Sequence, residues 1–287
     1  MPLNPPNMLL TDQVAVVTGG GGGIGRAIAL SLASVGADVV IADIVPERCE
    51  EAAARVRELG RRALGVPTDV MDTNQIRALI DGADRHFGRI DILVNNAGGV
   101  NYKPFLQQSE RSWRRLIDLN LVSMLAATSA AVPVMIRGGR GGTVVNIASI
   151  EGSRAAPGYA VYASCKAGML NFTRTLALEL AEHRIRVNAI APDYTVTPGV
   201  RGNHLGPVDP AKWVEPTPAH LRATALRIPL GRAGIDSECG SAAVFLSSAM
   251  SDYVTGIVIP VDGGTWASSG WLRNPAGKWV LTGEIGP

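Results

Sequence analysis

Val14-Ala-Val-Val-Thr-Gly-Gly-Gly-Gly-Gly-Ile-Gly25 is the stretch on which the fold turns. Its small and β-branched residues read as a buried strand, its glycines as a tight turn, and a helical pattern begins near Arg26. In that order the three parts make a phosphate cradle. Glycine lets the backbone approach a pyrophosphate, and a helix N-terminus presents N–H donors with a partial positive charge.

Working outward, the same alternation continues. Val14–Thr18, Asp38–Asp43, Ala63–Thr68, Ile90–Asn95, Thr143–Ile147, Arg186–Ile190 and Ile257–Val261 are seven strand candidates, with helical patterns between them. Continuous apolar strands joined by helices predict a parallel sheet covered on both faces, because a parallel crossover needs a helix to return the chain. The expected fold is therefore a single-domain, doubly wound α/β fold, with a seven-stranded parallel sheet flanked by helices over residues 13–265. Residues 1–12 read as a Pro-rich lead-in, 193–226 as an insertion, and 266–287 as a Trp-rich extension. The insertion leaves the sixth strand at the carboxyl edge of the sheet, where open α/β proteins bind ligands, so it is the expected substrate lid. Trp266, Trp271 and Trp279 are too aromatic for a solvated tail and predict packing on the core or on a neighbouring subunit.

Composition narrows the function. The 287 residues carry a net charge of +2 without a long run of either sign, which disfavours nucleic acid as a partner. Cys49, Cys165 and Cys239 form no CxxC pair, and the four histidines show no metal-ligand spacing, so neither a disulfide framework nor a catalytic metal is expected. The N-terminus lacks a basic, apolar leader, and the apolar stretch Leu121–Ile136 falls short of the ~20 residues that span a bilayer. The expectation is a cytoplasmic protein.

Asp43 ends the second strand 18 residues beyond Gly25, close to the ~20 expected of a carboxylate that binds an adenosine ribose diol. That carboxylate would repel a 2′-phosphate, and neither Gly22 nor Ile44 offers a cation to receive one, so the predicted cofactor is NAD rather than NADP. A glycine cradle with an acidic strand end also suits an S-adenosylmethionine-dependent methyltransferase. A non-catalytic dinucleotide-binding protein is the third alternative. The second half of the chain discriminates. Tyr162 and Lys166 lie four residues apart in a helical pattern from Tyr159 to Ala181, on one face. A cation ~4 Å from a phenol, at an effective dielectric of ~20, offers about 4 kcal/mol of gross attraction, which predicts a Tyr162 pKa near 7 and a general acid/base.

With these residues in place the sequence closely resembles the short-chain dehydrogenase/reductase family over residues 12–265. The shared motifs are Thr18–Gly25, Asp69 in Thr-Asp-Val, Asn95-Asn96-Ala97-Gly98, Asn120 in Asp-Leu-Asn-Leu, Ser149, and Tyr162 with Lys166. The resemblance implies a Rossmann fold and an oxidoreductase that interconverts a secondary alcohol and a ketone. It implies that Tyr162 is the acid/base, that Ser149 hydrogen-bonds the substrate oxygen, and that Lys166 lowers the Tyr pKa and holds the nicotinamide ribose. Asn120 would anchor a proton-relaying water. The implied cofactor contacts are Gly19, Gly23, Ile24, Gly25, Asp43, Asp69, Val70, Asn96, Ala97, Gly98, Tyr162, Lys166, Pro192, Thr195 and Thr197. It also implies a homotetramer, built through the helices near Ser112–Ile136 and Tyr159–Ala181 and the last strand. One departure concerns Asp193, which stands where relatives carry glycine, and Cys165 replaces a common serine. Tyr102, Glu151, Asp193, Tyr194 and Trp213 are expected around a substrate that stays open among steroids, sugar alcohols, acyl thioesters and terpenoids.

Overall fold

A computed structural model describes residues 5–203, 206–274 and 276–281. The strands are β1 (Val14–Thr18), β2 (Asp38–Asp43), β3 (Ala63–Pro67), β4 (Ile92–Asn95), β5 (Gly142–Ile147), β6 (Ile185–Pro192), β7 (Thr195–Val196), β8 (Gly234–Ile235), β9 (Val258–Val261), β10 (Leu272–Arg273) and β11 (Trp279–Val280). The helices are α1 (Gly23–Ser34), α2 (Pro46–Glu58), α3 (Thr73–Phe87), α4 (Glu110–Ile117), α5 (Ser123–Gly138), α6 (Ala160–Glu179), α7 (Pro218–Arg227), α8 (Asp236–Ser247) and α9 (Thr265–Ser268).

Seven strands form one parallel sheet in the order β3-β2-β1-β4-β5-β6-β9. The period of two along each strand sorts the core. On β1, Ala15 and Val17 face α1, α2 and α8, packing on Ile28, Leu32, Ala52 and Ala243. Val14 and Val16 face the opposite layer, with Ile76 and Leu79 of α3, Ala131 of α5 and Ala177 of α6. All five β1 residues are buried, which is why the strand reads as continuously apolar. The order reverses between β1 and β4, and that reversal opens a crevice at the carboxyl ends of the strands.

Several boundaries differ from the sequence reading. The fourth strand starts at Ile92 rather than Ile90, because the Asp91 carboxylate accepts from Val14 N–H at 2.9 Å and ends the ladder there. The third ends at Pro67 and the sixth runs to Pro192. Residues 193–226 are not irregular throughout: β7 pairs in parallel with β8, and α7 starts at Pro218 with Thr217 as its N-cap. The apolar stretch at 121–136 belongs to a continuous 29-residue helix, Glu110–Gly138, long and apolar enough by composition to cross a membrane. Its most apolar window is half buried, and Ala127, Ala131 and Met135 pack beneath the sheet, as in a core helix of a folded domain. In the C-terminal extension Trp266, Trp271 and Trp279 are 51%, 43% and 42% exposed, so the described part does not bury them on its own core. Residues 1–4 of the lead-in and 282–287 of the extension lie outside the described residues.

Candidate active site

The glycine turn approaches its neighbours so closely that side chains are excluded. A Cβ on Gly25 would stand 2.1 Å from Gly19 O, and Gly23 holds a φ of +49°, in the left-handed region. No side chain caps α1 and no acid sits in its first turn, so its N-terminal N–H groups face the crevice with their partial positive charge. Asp43, at the end of β2, accepts from Gly21 N–H and Val45 N–H at 3.1 Å each. Asn96 stitches the neighbouring turn to the glycines: its Nδ2 donates to Thr18 O and Gly19 O, while Asn96 N–H and Ala97 N–H donate to the Thr18 hydroxyl. Asp69 accepts from Met71 N–H in a local turn, and Thr197 lies against Gly23.

At the other end, Asn120 is fully buried in a single π-helical turn, Asp118–Val122, between α4 and α5. Its Nδ2 donates to Gly99 O and Leu116 O, and its Oδ1 accepts from Gly99 N–H. The π turn inserts an extra residue into the helix and aims this amide inward, as such turns often do at functional sites. A Cβ on Gly98 would stand 2.9 Å from Asn120 Oδ1 and 3.6 Å from Lys166 Nζ, so both groups flank one point. Lys166 Nζ donates to Ile147 O at 2.7 Å and lies 5.6 Å from the centre of the Tyr162 ring. Ser149 donates to Pro192 O, and its hydroxyl accepts from Glu151 N–H. Asn120, Lys166, Tyr162 and Ser149 line one cleft of about 930 Å³ together with Gly23, Gly25, Asp43, Asp69, Asn96 and Thr197.

Residues 19–265 match the family described as enoyl-(acyl carrier protein) reductase. The chain is 38% identical to the 3-oxoacyl-(acyl-carrier-protein) reductase of Thermotoga maritima, over 90% of this chain and 99% of that one. It is 39% identical to the galactitol 2-dehydrogenase of Agrobacterium fabrum, over 91% and 100%. The chain belongs to the short-chain dehydrogenase/reductase family. Among solved structures it resembles a 7α-hydroxysteroid dehydrogenase complexed with NADH and 7-oxo glycochenodeoxycholic acid, with a TM-score of 0.83 and 32% identity over 91% of this chain and 97% of that one. Carveol dehydrogenase from Mycobacterium avium in complex with NAD gives 0.83 and 32% over 90% and 99%. These relatives set the methyltransferase reading aside and share no single substrate.

Every site residue expected from the sequence lines the cleft of this short-chain dehydrogenase/reductase, including Ile24, Val70, Thr195 and Pro192. The electrostatics of the pair differ from expectation. Tyr162 is not brought near 7: desolvation pushes it up to about 12, with Glu151 adding to the rise and the Ser149 hydroxyl pulling the other way. Burial also lowers Lys166 to about 8, and its ammonium points at Ile147 O, so its charge relieves the phenol little. The gross attraction expected of a ~4 Å charge contact is outweighed by this desolvation. Of the five substrate-side candidates, Glu151, Asp193 and Tyr194 line the cleft. Tyr102 and Trp213 do not: Tyr102 packs edge-to-face on Tyr159, and Trp213 lies under the Arg201 guanidinium.

Three arginines of the cleft escaped the sequence reading. Arg48, from α2, donates through Nε to Gly206 O and through Nη2 to Asn203 O, with Nη1 turned to Gly22. It ties the loop after β7 to the coenzyme end. Arg115 is exposed at the cleft wall. Arg227 pairs with Asp193 at 3.0 Å. None belongs to a local motif; only the folded chain brings them to the crevice.

Proposed function

We propose that the protein is an NAD-dependent oxidoreductase that interconverts a secondary alcohol and a ketone, with Tyr162 as general acid/base. One observation carries this reading: Ser149, Tyr162, Lys166 and Asn120 close one end of a cleft whose other end holds Asp43 and the uncapped start of α1. The residues fit a dinucleotide, since the glycine cradle leaves room for phosphate and Asp43 for a ribose diol. NAD, when bound, supplies the hydride acceptor and a positive charge beside the phenol. Ser149 fixes the substrate oxygen by hydrogen bonding. Tyr162 takes the hydroxyl proton during oxidation and returns it to the carbonyl oxygen during reduction. Lys166 donates to the ribose, and Asn120 holds the water that passes the proton on.

Arg48 supports the alternative coenzyme, because Nη1 stands beside Gly22. NAD is preferred here because two of the other Arg48 donors already serve the loop, while the Asp43 carboxylate would repel a 2′-phosphate. The comparison of kcat/KM with NAD and NADP tests this, with NAD expected ahead by tenfold or more, about 1.4 kcal/mol. Residues 193–226 act as the substrate lid in this reading. The exposed Ile117, Leu125 and Leu178 support a homotetramer, to be checked by light scattering, and three free cysteines support a cytoplasmic location.

A further inference from the structure

The cleft has a neighbour. A second cavity, about 560 Å³, lies between Ser153 and Arg154, the last turn of α7 and the segment from Thr265 to Leu272. Arg227 lines both cavities, whereas Arg154 lines only the second. A chain of ion pairs forms the partition. Arg154 Nη2 lies 2.8 Å from Glu151 Oε1 and 3.8 Å from Asp193 Oδ1, and Arg227 Nη1 lies 3.0 Å from Asp193 Oδ2.

The partition is sided. Both carboxylates, Glu151 and Asp193, line the catalytic cleft, while among its described lining residues the second cavity has two guanidinium groups and no carboxylate. Asp262 also acts on Arg154 through its charge, but its oxygens bond Gly264 N–H and Trp266 N–H and neither guanidinium. A guanidinium carries five N–H donors in a planar fork. Among the described residues Arg227 engages only Nη1, and Nη1 of Arg154 has no partner. Both side chains are one third to two fifths exposed, so their field is only partly screened. A planar or tetrahedral oxyanion engages such a fork with paired, charge-assisted hydrogen bonds, which a neutral acceptor makes more weakly and a cation does not make.

We propose that this second cavity binds an oxyanionic group, a carboxylate or a phosphate, held by Arg154 and Arg227. The group has two possible sources: the distal end of the substrate, reaching past Arg227 from the cleft, or a free small anion. The first rests on the alcohol–ketone reading; the second does not.

The test is a titration of inorganic phosphate into the protein saturated with NAD, read by calorimetry and thermal melting at constant ionic strength with chloride as control. Saturable binding is expected, weakened at least tenfold in Arg154→Gln and partly kept in Arg154→Lys. Ser153→Glu keeps both arginines and places a carboxylate at the cavity that competes with an anion for their free donors; it is expected to abolish binding, which covers the case in which Arg154→Gln does not fold. Phosphate acting no differently from chloride, or binding unchanged in Ser153→Glu, overturns the proposal. If NAD itself gives no stabilisation, the coenzyme reading fails, and titration of the protein alone against Ser153→Glu still decides the cavity. Steady-state kinetics then assign the source. A KM for a carboxylate-bearing alcohol that rises tenfold in Ser153→Glu, with its carboxamide unaffected, assigns the substrate. A phosphate effect on both alcohols, absent from Ser153→Glu, assigns a free anion.

Discussion

The two ends of the cleft are built by different physics. The coenzyme end is backbone: a glycine turn, a helix start and an asparagine turn stitched together within 3.1 Å hydrogen bonds. The substrate end is side-chain charge, with Glu151, Arg154, Asp193 and Arg227 drawn from three segments of the chain. Close backbone approach tolerates almost no substitution, so the first end is spelled in contiguous motifs. Ion pairs between part-exposed arginines and carboxylates contribute about 0–1 kcal/mol each, so the second end can be rebuilt without loss of fold. One cleft thus joins a fixed half to a variable half, in keeping with relatives named for substrates as different as galactitol and a 3-oxoacyl-(acyl-carrier-protein).

This contrast is open to attack, most strongly at the fixed end. Tyr162→Phe removes the proposed proton acceptor and is expected to lower kcat by about 10³-fold, with NADH binding measured by fluorescence unchanged. Activity within tenfold of wild type would remove Tyr162 from the reaction.

The next largest effect lies in stability. Burial lowers the folded pKa of Lys166 to about 8 from the ordinary lysine value of 10.5, so between these values the unfolded chain holds a proton that the folded one lacks. Stability therefore rises with pH across that window, by about 2–3 kcal/mol between pH 7 and 10, and the penalty of a buried charge is fully present below pH 8. Tyr162 acts in the opposite sense above pH 10, where its raised pKa lets the unfolded chain lose a proton first. Urea unfolding of wild type and Lys166→Met at pH 7 and 10 isolates the lysine contribution. Parallel curves would show that Lys166 is charged at both pH values.

Smaller effects sharpen the difference between the ends. Asp43→Asn keeps an acceptor for Gly21 N–H but removes the charge, and the NADP/NAD ratio of kcat/KM is expected to rise about tenfold, or 1.4 kcal/mol. Asp193→Asn is expected to cost under about 1 kcal/mol of stability, because its partners are partly solvated. It should speed proteolysis within residues 197–227, which the Asp193–Arg227 pair helps to tie down. A loss of several kcal/mol would show that the substrate end is as rigidly built as the other.

Motifs that a strand, turn or helix carries within about ten residues were legible before folding. From the cradle Gly19 and Gly22–Gly25, then Asp43, Asn96–Gly98, Asn120, Ser149 and the Tyr162–Lys166 pair all reach the cleft. Positions judged by residue type alone fared worse, as with Tyr102 and Trp213, because an aromatic in a loop reports neither its direction nor its partner. The Tyr162 pKa lies beyond the sequence for a related reason: spacing fixes which face two residues share but says nothing of how much water remains around them.

By itself the sequence determined the parallel sheet, the alternation of its strands with helices along the chain, and the motif residues that gather in the cleft. Hydrophobic periodicity and steric demands on glycine act locally, and they leave a local record. Only the tertiary structure decided which arginines enter the crevice, which way the carboxylates face, and that a second cavity shares Arg227. Those outcomes depend on solvation and on charges meeting across long separations in the chain, and neither quantity exists until the chain is packed.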